Sequence, residues 1–177
     1  MIEVFRYQTE DGKEPLTDWL QSLKDKQAQA KIRVRIKRLE AGNFGDCDPV
    51  GEQDSQGILG RLETEAGMSK KLKAAVSHHD REVAELRADR ELAVEYLKAA
   101  MESLDNPNDR AAGLLALRTV AEAYGGLGAV AAEAGISRES LYRTLSAKGN
   151  PTLKTLLAVL KAVGMKLSVE PEHHAAA

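Results

Sequence analysis

Cysteine occurs once, as Cys47, so the chain cannot close an intramolecular disulfide, and a cysteine cage for a metal is excluded. A reducing compartment fits that usage. Aromatic residues make up 4% of the chain, which makes any core mainly aliphatic. Nowhere do eighteen apolar residues run together, and the first eleven lack the apolar centre of a signal peptide. The expectation is a soluble cytoplasmic protein with no membrane partner. A chain-wide basic field is also missing: 25 lysines and arginines face 27 acidic residues, for a net charge of −2. Nucleic-acid binding therefore has to rest on local charge. Between Gly126 and Lys166, six basic residues (Arg138, Arg143, Lys148, Lys154, Lys161 and Lys166) meet only Glu133 and Glu139.

What is present reads as mainly helical. Ile2, Val4, Phe5 and Tyr7 suggest a short strand over Met1 to Tyr7, which needs a partner to be stable. Glu14 to Leu23 and Lys24 to Leu39 read as a helical hairpin, with Leu16, Trp19, Leu20 and Leu23 on one apolar face and Ile32, Ile36 and Leu39 on the other. From Ala41 the text turns to glycine, asparagine, aspartate and proline, a linker with no second strand in view. It ends at Gly67-Met68-Ser69-Lys70-Lys71, which looks like a second protein start and sets a domain boundary. Beyond it, Asp80 to Leu104 is helix-rich, Asp105-Asn106-Pro107-Asn108 breaks the pattern, and a helix runs from about Asp109 to Tyr124 until Gly125-Gly126 ends it.

Leu127 to Ser146, LGAVAAEAGISRESLYRTLS, has the parts of a helix-turn-helix. Val130 and Ala134 give the first helix a buried side, Ala131 permits close approach, Gly135 suits a left-handed turn residue and Ile136 plugs it. Ser137 is placed to cap the second helix, and Leu141 and Leu145 point inward at helical spacing. Ser137, Arg138, Glu139, Ser140, Tyr142, Arg143 and, in the next turn, Lys148 are then the candidate DNA contacts. Arginine can pair with the two acceptors of guanine, whereas serine, tyrosine and lysine commonly hold phosphates. The plain alternative is two helices of a bundle with a solvated charged face. A core helix from Leu153 to Val163 follows, then an alternating segment, Met165 to Glu170, expected to be a strand that pairs with its copy in a homodimer.

Other chemistry finds less support. The basic residues Lys24, Lys26, Lys31, Arg33, Arg35, Lys37 and Arg38 could hold RNA for a nuclease, but such a run is more often a solvated face, and no groups to move protons are evident. His78-His79 and His173-His174 diverge on a helix and lack a local carboxylate or cysteine pattern, so no metal or cofactor is expected. Asp80, Glu82, Glu85, Asp89 and Glu91, interleaved with arginines, read as a solvated helix face. Cys47 has no identifiable base near it. No catalytic residue can be named.

Met68 to Pro171, and above all Gly135 to Leu167, resembles the HigA-like addiction-module antitoxins with an Xre/Cro-type helix-turn-helix. The resemblance implies a repressor of its own operon whose partners are operator DNA and a cognate RelE/HigB-like toxin. Met1 to about Glu52, with EPLTDWLQSLKDKQAQAKIRVRIKRLEAGNFGD, is similar to the start of phage-derived RelE/HigB-like toxins, but the sheet that completes such a toxin and carries its messenger-RNA-cleaving residues is missing. The division expected is a truncated toxin fragment at 1–52, a linker at 53–67, an antitoxin at 68–171 and a tail at 172–177. The fragment, lacking its sheet, is expected to be partly ordered or loosely packed. Residual nuclease activity and a toxin-neutralising protein without DNA binding stay open as rival functions.

Overall fold

The structure, a computed structural model, describes residues 2–43 and 75–168. Within these residues the chain is mainly helical: β1 (Phe5–Tyr7), α1 (Pro15–Ser22), α2 (Lys26–Glu40), β2 (Ala75–Ser77), α3 (His78–Ala88), α4 (Arg90–Glu102), α5 (Arg110–Ala123), α6 (Gly126–Ala134), α7 (Arg138–Thr144) and α8 (Leu153–Ala162). The linker expected at 53–67, with Cys47 and Met68, lies outside the described residues.

Local chemistry sets most boundaries. Pro15 opens α1, where its missing amide proton costs nothing. Asp25 caps α2 by accepting from the amides of Gln27 and Ala28, and Ser77 caps α3 by accepting from Asp80. The helical pattern of Asp80 to Leu104 is broken at Asp89, whose extended backbone ends α3 while its carboxylate takes the Leu92 amide at 2.9 Å and starts α4. Among the described residues α5 is the most enclosed helix, buried at every position from Ala112 to Ala121, and α4 packs on it through Leu92, Tyr96, Leu97 and Ala100. The two backbones come closest at Gly113, where an added Cβ would lie 2.7 Å from the Ala100 carbonyl oxygen. Gly113→Ala is therefore expected to destabilise the fold by about 1–3 kcal/mol, more than alanine's helix propensity returns. A thermal melt showing an unchanged or higher midpoint would mean that the helices part without strain.

Residues 2–43 are better integrated than their sequence suggests. β1 pairs antiparallel with β2, Phe5 opposite Ser77 and Tyr7 opposite Ala75, so the lone strand finds its partner some seventy residues on. The His78 amide donates to the Val4 carbonyl, extending that contact. Ala30 and Val34 of α2 join the apolar cluster built by α4 and α5. The expectation of a loosely packed segment is thus corrected. So is the register of α2: Ile32 and Ile36 are only half-buried and Leu39 is exposed, while Arg33 and Lys37 are fully enclosed. Trp19, placed inward by spacing, is half exposed.

The cause is charge. Glu82 and Glu85, expected on a solvated face, are buried, and cations from the first segment come in to meet them. Arg6 donates to both oxygens of Glu85, at 2.7 and 3.1 Å, and Arg33 binds Oε2 of the same carboxylate. Lys37 donates to Glu40 at 2.9 Å and pairs with Glu82, its Nζ 2.7 Å from Oε2. Three buried cations balance three buried carboxylates. Burial pulls the Lys37 ammonium down and Glu82 up, but Lys37, Glu82 and Glu40 outweigh it: lysine is held above its ordinary range and Glu82 below its own.

At the other end, Met165 to Ser168 forms no strand, which corrects that part of the expected Met165–Glu170 strand; residues 169 and 170 lie outside the described residues. Instead Gly164, at φ 69°, turns the chain, and the Met165 amide donates back to the Leu160 carbonyl, closing the helix end.

Candidate nucleic-acid interface

Helix α6 ends at Gly135, whose φ of 69° is open to glycine without strain. The amide of Ile136 donates to the Ala131 carbonyl at 3.0 Å and that of Gly135 to Ala132 at 3.1 Å, so the turn absorbs the free carbonyls of the helix. Ser137, in extended backbone, accepts the Ser140 amide at 3.1 Å and donates its hydroxyl to Ser140 Oγ at 3.0 Å. Thus α7 starts where the serine places it. Leu141 and Leu145 are fully buried in the apolar cluster that also contains Val130 and Ala131 of α6, which holds the short helix by one face.

The opposite face is solvated. Arg138, Glu139 and Arg143 are exposed on α7, and Lys148 is exposed in the turn that follows. Glu139 is held below its usual range first by its own backbone amide at the helix start, then by the Ser137 hydroxyl and the two arginines, so it carries its charge among them. The turn after α7 is tight: the Gly149 amide donates to Ser146 at 2.8 Å, and a Cβ on Gly149 would fall 1.9 Å from the Thr144 carbonyl oxygen. Arg110, at the start of α5, donates to the Asn150 side chain at 3.1 Å and ties that turn to the core.

The seven candidate residues do not all stand alike. Ser137 and Ser140 spend their hydroxyls on the cap. Tyr142, 44% exposed, carries the Arg118 guanidinium over its ring at 4.7 Å and borders a cleft of about 440 Å³ with Phe5, His79 and Glu122. The phenol is thus held from behind by α5. Arg138, Glu139 and Arg143 share the exposed side of α7 with it. One further cation, not among the seven, lies beside them. Lys154, exposed near the start of α8, brings its Nζ to within 3.0 Å of the Cβ position of Gly135, adding positive charge beside the turn. The pointer was its place two residues after the capping Thr152, which fixes the direction of α8.

Metal chemistry has one candidate among the described residues: Glu40, His78 and Glu82 bring ligand atoms within 4.8 Å of one another. Lys37 sits among them with its ammonium on both carboxylates, where a cation would sit. The residues therefore do not fit a metal. His79 turns away from His78 to pair with Glu122 on α5, as adjacent helical residues must diverge. No described helix is long and apolar enough to cross a membrane.

Comparison with known proteins bears on this same stretch. The family model described as "Probable addiction module antidote protein" matches residues 77–171, more than half of the chain. The chain belongs to this family. Its matched stretch begins at Ser77, the cap of α3, and includes α3 to α8. Two proteins of Haemophilus influenzae, both described only as uncharacterized, are similar over shorter stretches. One is 46% identical over 46 residues, 26% of this chain and 47% of the relative; the other is 56% identical over 34 residues, 19% of this chain and 34% of the relative. The chain thus spans about half, or less, of the length of these curated relatives. No solved structure matches it.

Proposed function

We propose that this antidote-family protein is a HigA-like antitoxin of the Xre/Cro helix-turn-helix type that represses its own operon. It binds operator DNA as a homodimer, laying α7 of each copy in successive major grooves, and it does no chemistry of its own. The observation that carries this reading is the construction of α7: a serine-capped helix behind a left-handed glycine, anchored by Leu141 and Leu145, with Arg138 and Arg143 left in solvent. Arg143 and Arg138 read bases or clamp phosphates, Tyr142 and Glu139 frame them, Ser137 and Ser140 hold the register, and Lys148 and Lys154 meet phosphates. The site is cytoplasmic and needs no cofactor.

On the same reading, residues 1–52 are a truncated RelE/HigB-like toxin fragment fused ahead of the antitoxin. The engagement of Arg6, Arg33 and Lys37 in buried ion pairs favours a passenger over a residual nuclease, since enclosed cations are withheld from RNA. Fluorescence anisotropy across a salt series, on DNA upstream of the gene and on scrambled DNA, tests the contacts. Arg143→Ala is expected to weaken binding to the upstream DNA by about 1–3 kcal/mol and to narrow the gap between the two DNAs. Lys148→Ala should instead weaken both and lower the salt slope by about one. Equal loss on both DNAs for Arg143→Ala would remove its base-reading role.

A further inference from the structure

Residues 2–43 lie outside the stretch that matches the family, yet they seal one face of it. Ala30 and Val34 of α2 share an apolar cluster with Leu92, Ala93, Leu97 and Ala100 of α4. Both cations that meet Glu85, Arg6 and Arg33, come from this segment, and so does the ammonium that meets Glu82. β1 adds its edge to β2, where the matched stretch begins. Left open, the face would show two carboxylates set in an apolar surface. Such groups are costly to enclose unless a cation arrives with whatever covers them. The relatives bear on this point as well. A stretch of 46 residues is 47% of one relative but 26% of this chain, so that relative is much the shorter and has room for little beyond a unit the size of 77–171.

We propose that the face formed by α3, α4 and α5 is the protein-docking face of the matched stretch, and that residues 2–43 occupy it in cis. The partner it fits is a separate chain that offers a strand edge and a helix with an arginine and a lysine four residues apart, as Arg33 and Lys37 stand here. This deepens the antitoxin reading and rests on it, since it assigns the place where a basic toxin-like partner docks. Tethering gives the cis segment an effective concentration in the millimolar range, which a free partner at ordinary concentrations does not match. The fused chain is accordingly a self-occupied antitoxin, closed to capture of a second partner.

The test keeps the whole chain. A protease site is placed within residues 44–74, the purified protein is cut, and a fluorescent synthetic peptide of residues 2–43 is added. Cut protein is expected to exchange the peptide in, uncut protein to take up at least tenfold less, and a peptide carrying Arg33→Glu to bind at least tenfold more weakly. Hydrogen exchange on the same cut sample should keep the amides of α4 to α8 protected while the segment comes and goes. Failure to exchange, equal binding of the two peptides, or loss of protection in α4 and α5 when the segment leaves would each overturn the proposal, the last by making the segment part of one indivisible core. Upstream-DNA binding, measured in parallel, separates the two readings: peptide exchange without selective DNA binding contradicts the operator reading and leaves the docking face standing.

Discussion

Replacing Glu85 with alanine is expected to remove about 3–5 kcal/mol of folding stability, the usual cost of stripping one partner from a buried ion pair. The carboxylate is the meeting point of Arg6 on β1 and Arg33 on α2, and both guanidinium groups are fully enclosed. Without it, two positive charges stay buried together with Thr17 and His78 as the remaining neighbours of Arg6. The first segment should then detach or drag the fold down. Urea denaturation reads the change directly, and a loss below about 1 kcal/mol would mean that water reaches these arginines and that the pair is effectively a surface one. Glu85→Gln should fall between, because the amide still accepts a hydrogen bond but brings no charge.

Acid should act on the same cluster. His78 is buried, and burial is the first cause that pulls its pKa from the ordinary 6.5 to about 4; Arg6, Lys37 and Arg33 push the same way, against Glu82. The geometry agrees, since Arg6 Nε donates to His78 Nδ1 at 2.9 Å and a proton on that nitrogen would face another N–H. Between the two pKa values the unfolded chain binds a proton that the folded chain refuses. Stability therefore rises with pH across that window and is lost as pH falls from about 6.5 through 4, by roughly 3 kcal/mol in all. Urea midpoints at several pH values should show this slope, and His78→Gln should flatten it. A wild-type profile flat between pH 6.5 and 4.5 would mean that His78 is protonated in the folded protein. Glu82, held below its ordinary range, adds a further loss at lower pH.

How much was legible in the sequence follows from how local each cause is. The turn at Gly135, the cap at Ser137 and the inward Leu141 and Leu145 depend on neighbours within a few residues, and the structure places all of them as their spacing implies. The break at Asp89 was hidden because the apolar period of Asp80 to Leu104 runs across it, and only the cap to Leu92 marks it. The register of α2 was misread because what decides it lies far away: Arg33 meets Glu85 52 residues on, and Arg6 reaches the same carboxylate across 79. Charged residues at helical spacing look solvated until their counter-charges are located. The same holds for β1, where Arg6 points inward and Phe5 and Tyr7 outward, the reverse of what their hydrophobicity suggests. Tyr142 was read as an outward contact, and spacing could not disclose that Arg118 of α5 lies over its ring.

These non-local pairs give the two ends of the molecule different standing. The ion cluster holds the first segment to the family-matched stretch, while the solvated side of α7 keeps its arginines away from that cluster and open to a ligand. Among the described side chains, Tyr142, through Arg118 and the cleft it shares with Phe5, borders both.

The most direct test of the regulator reading is a nuclease footprint of the full chain on DNA upstream of its gene. The account predicts protection of two related half-sites about one helical turn, roughly 10 base pairs, apart, appearing at concentrations where scrambled DNA stays open and lost in Arg143→Ala. Protection that is uniform along both DNAs, or absent from both, would contradict it and make α7 a scaffold helix with a charged face.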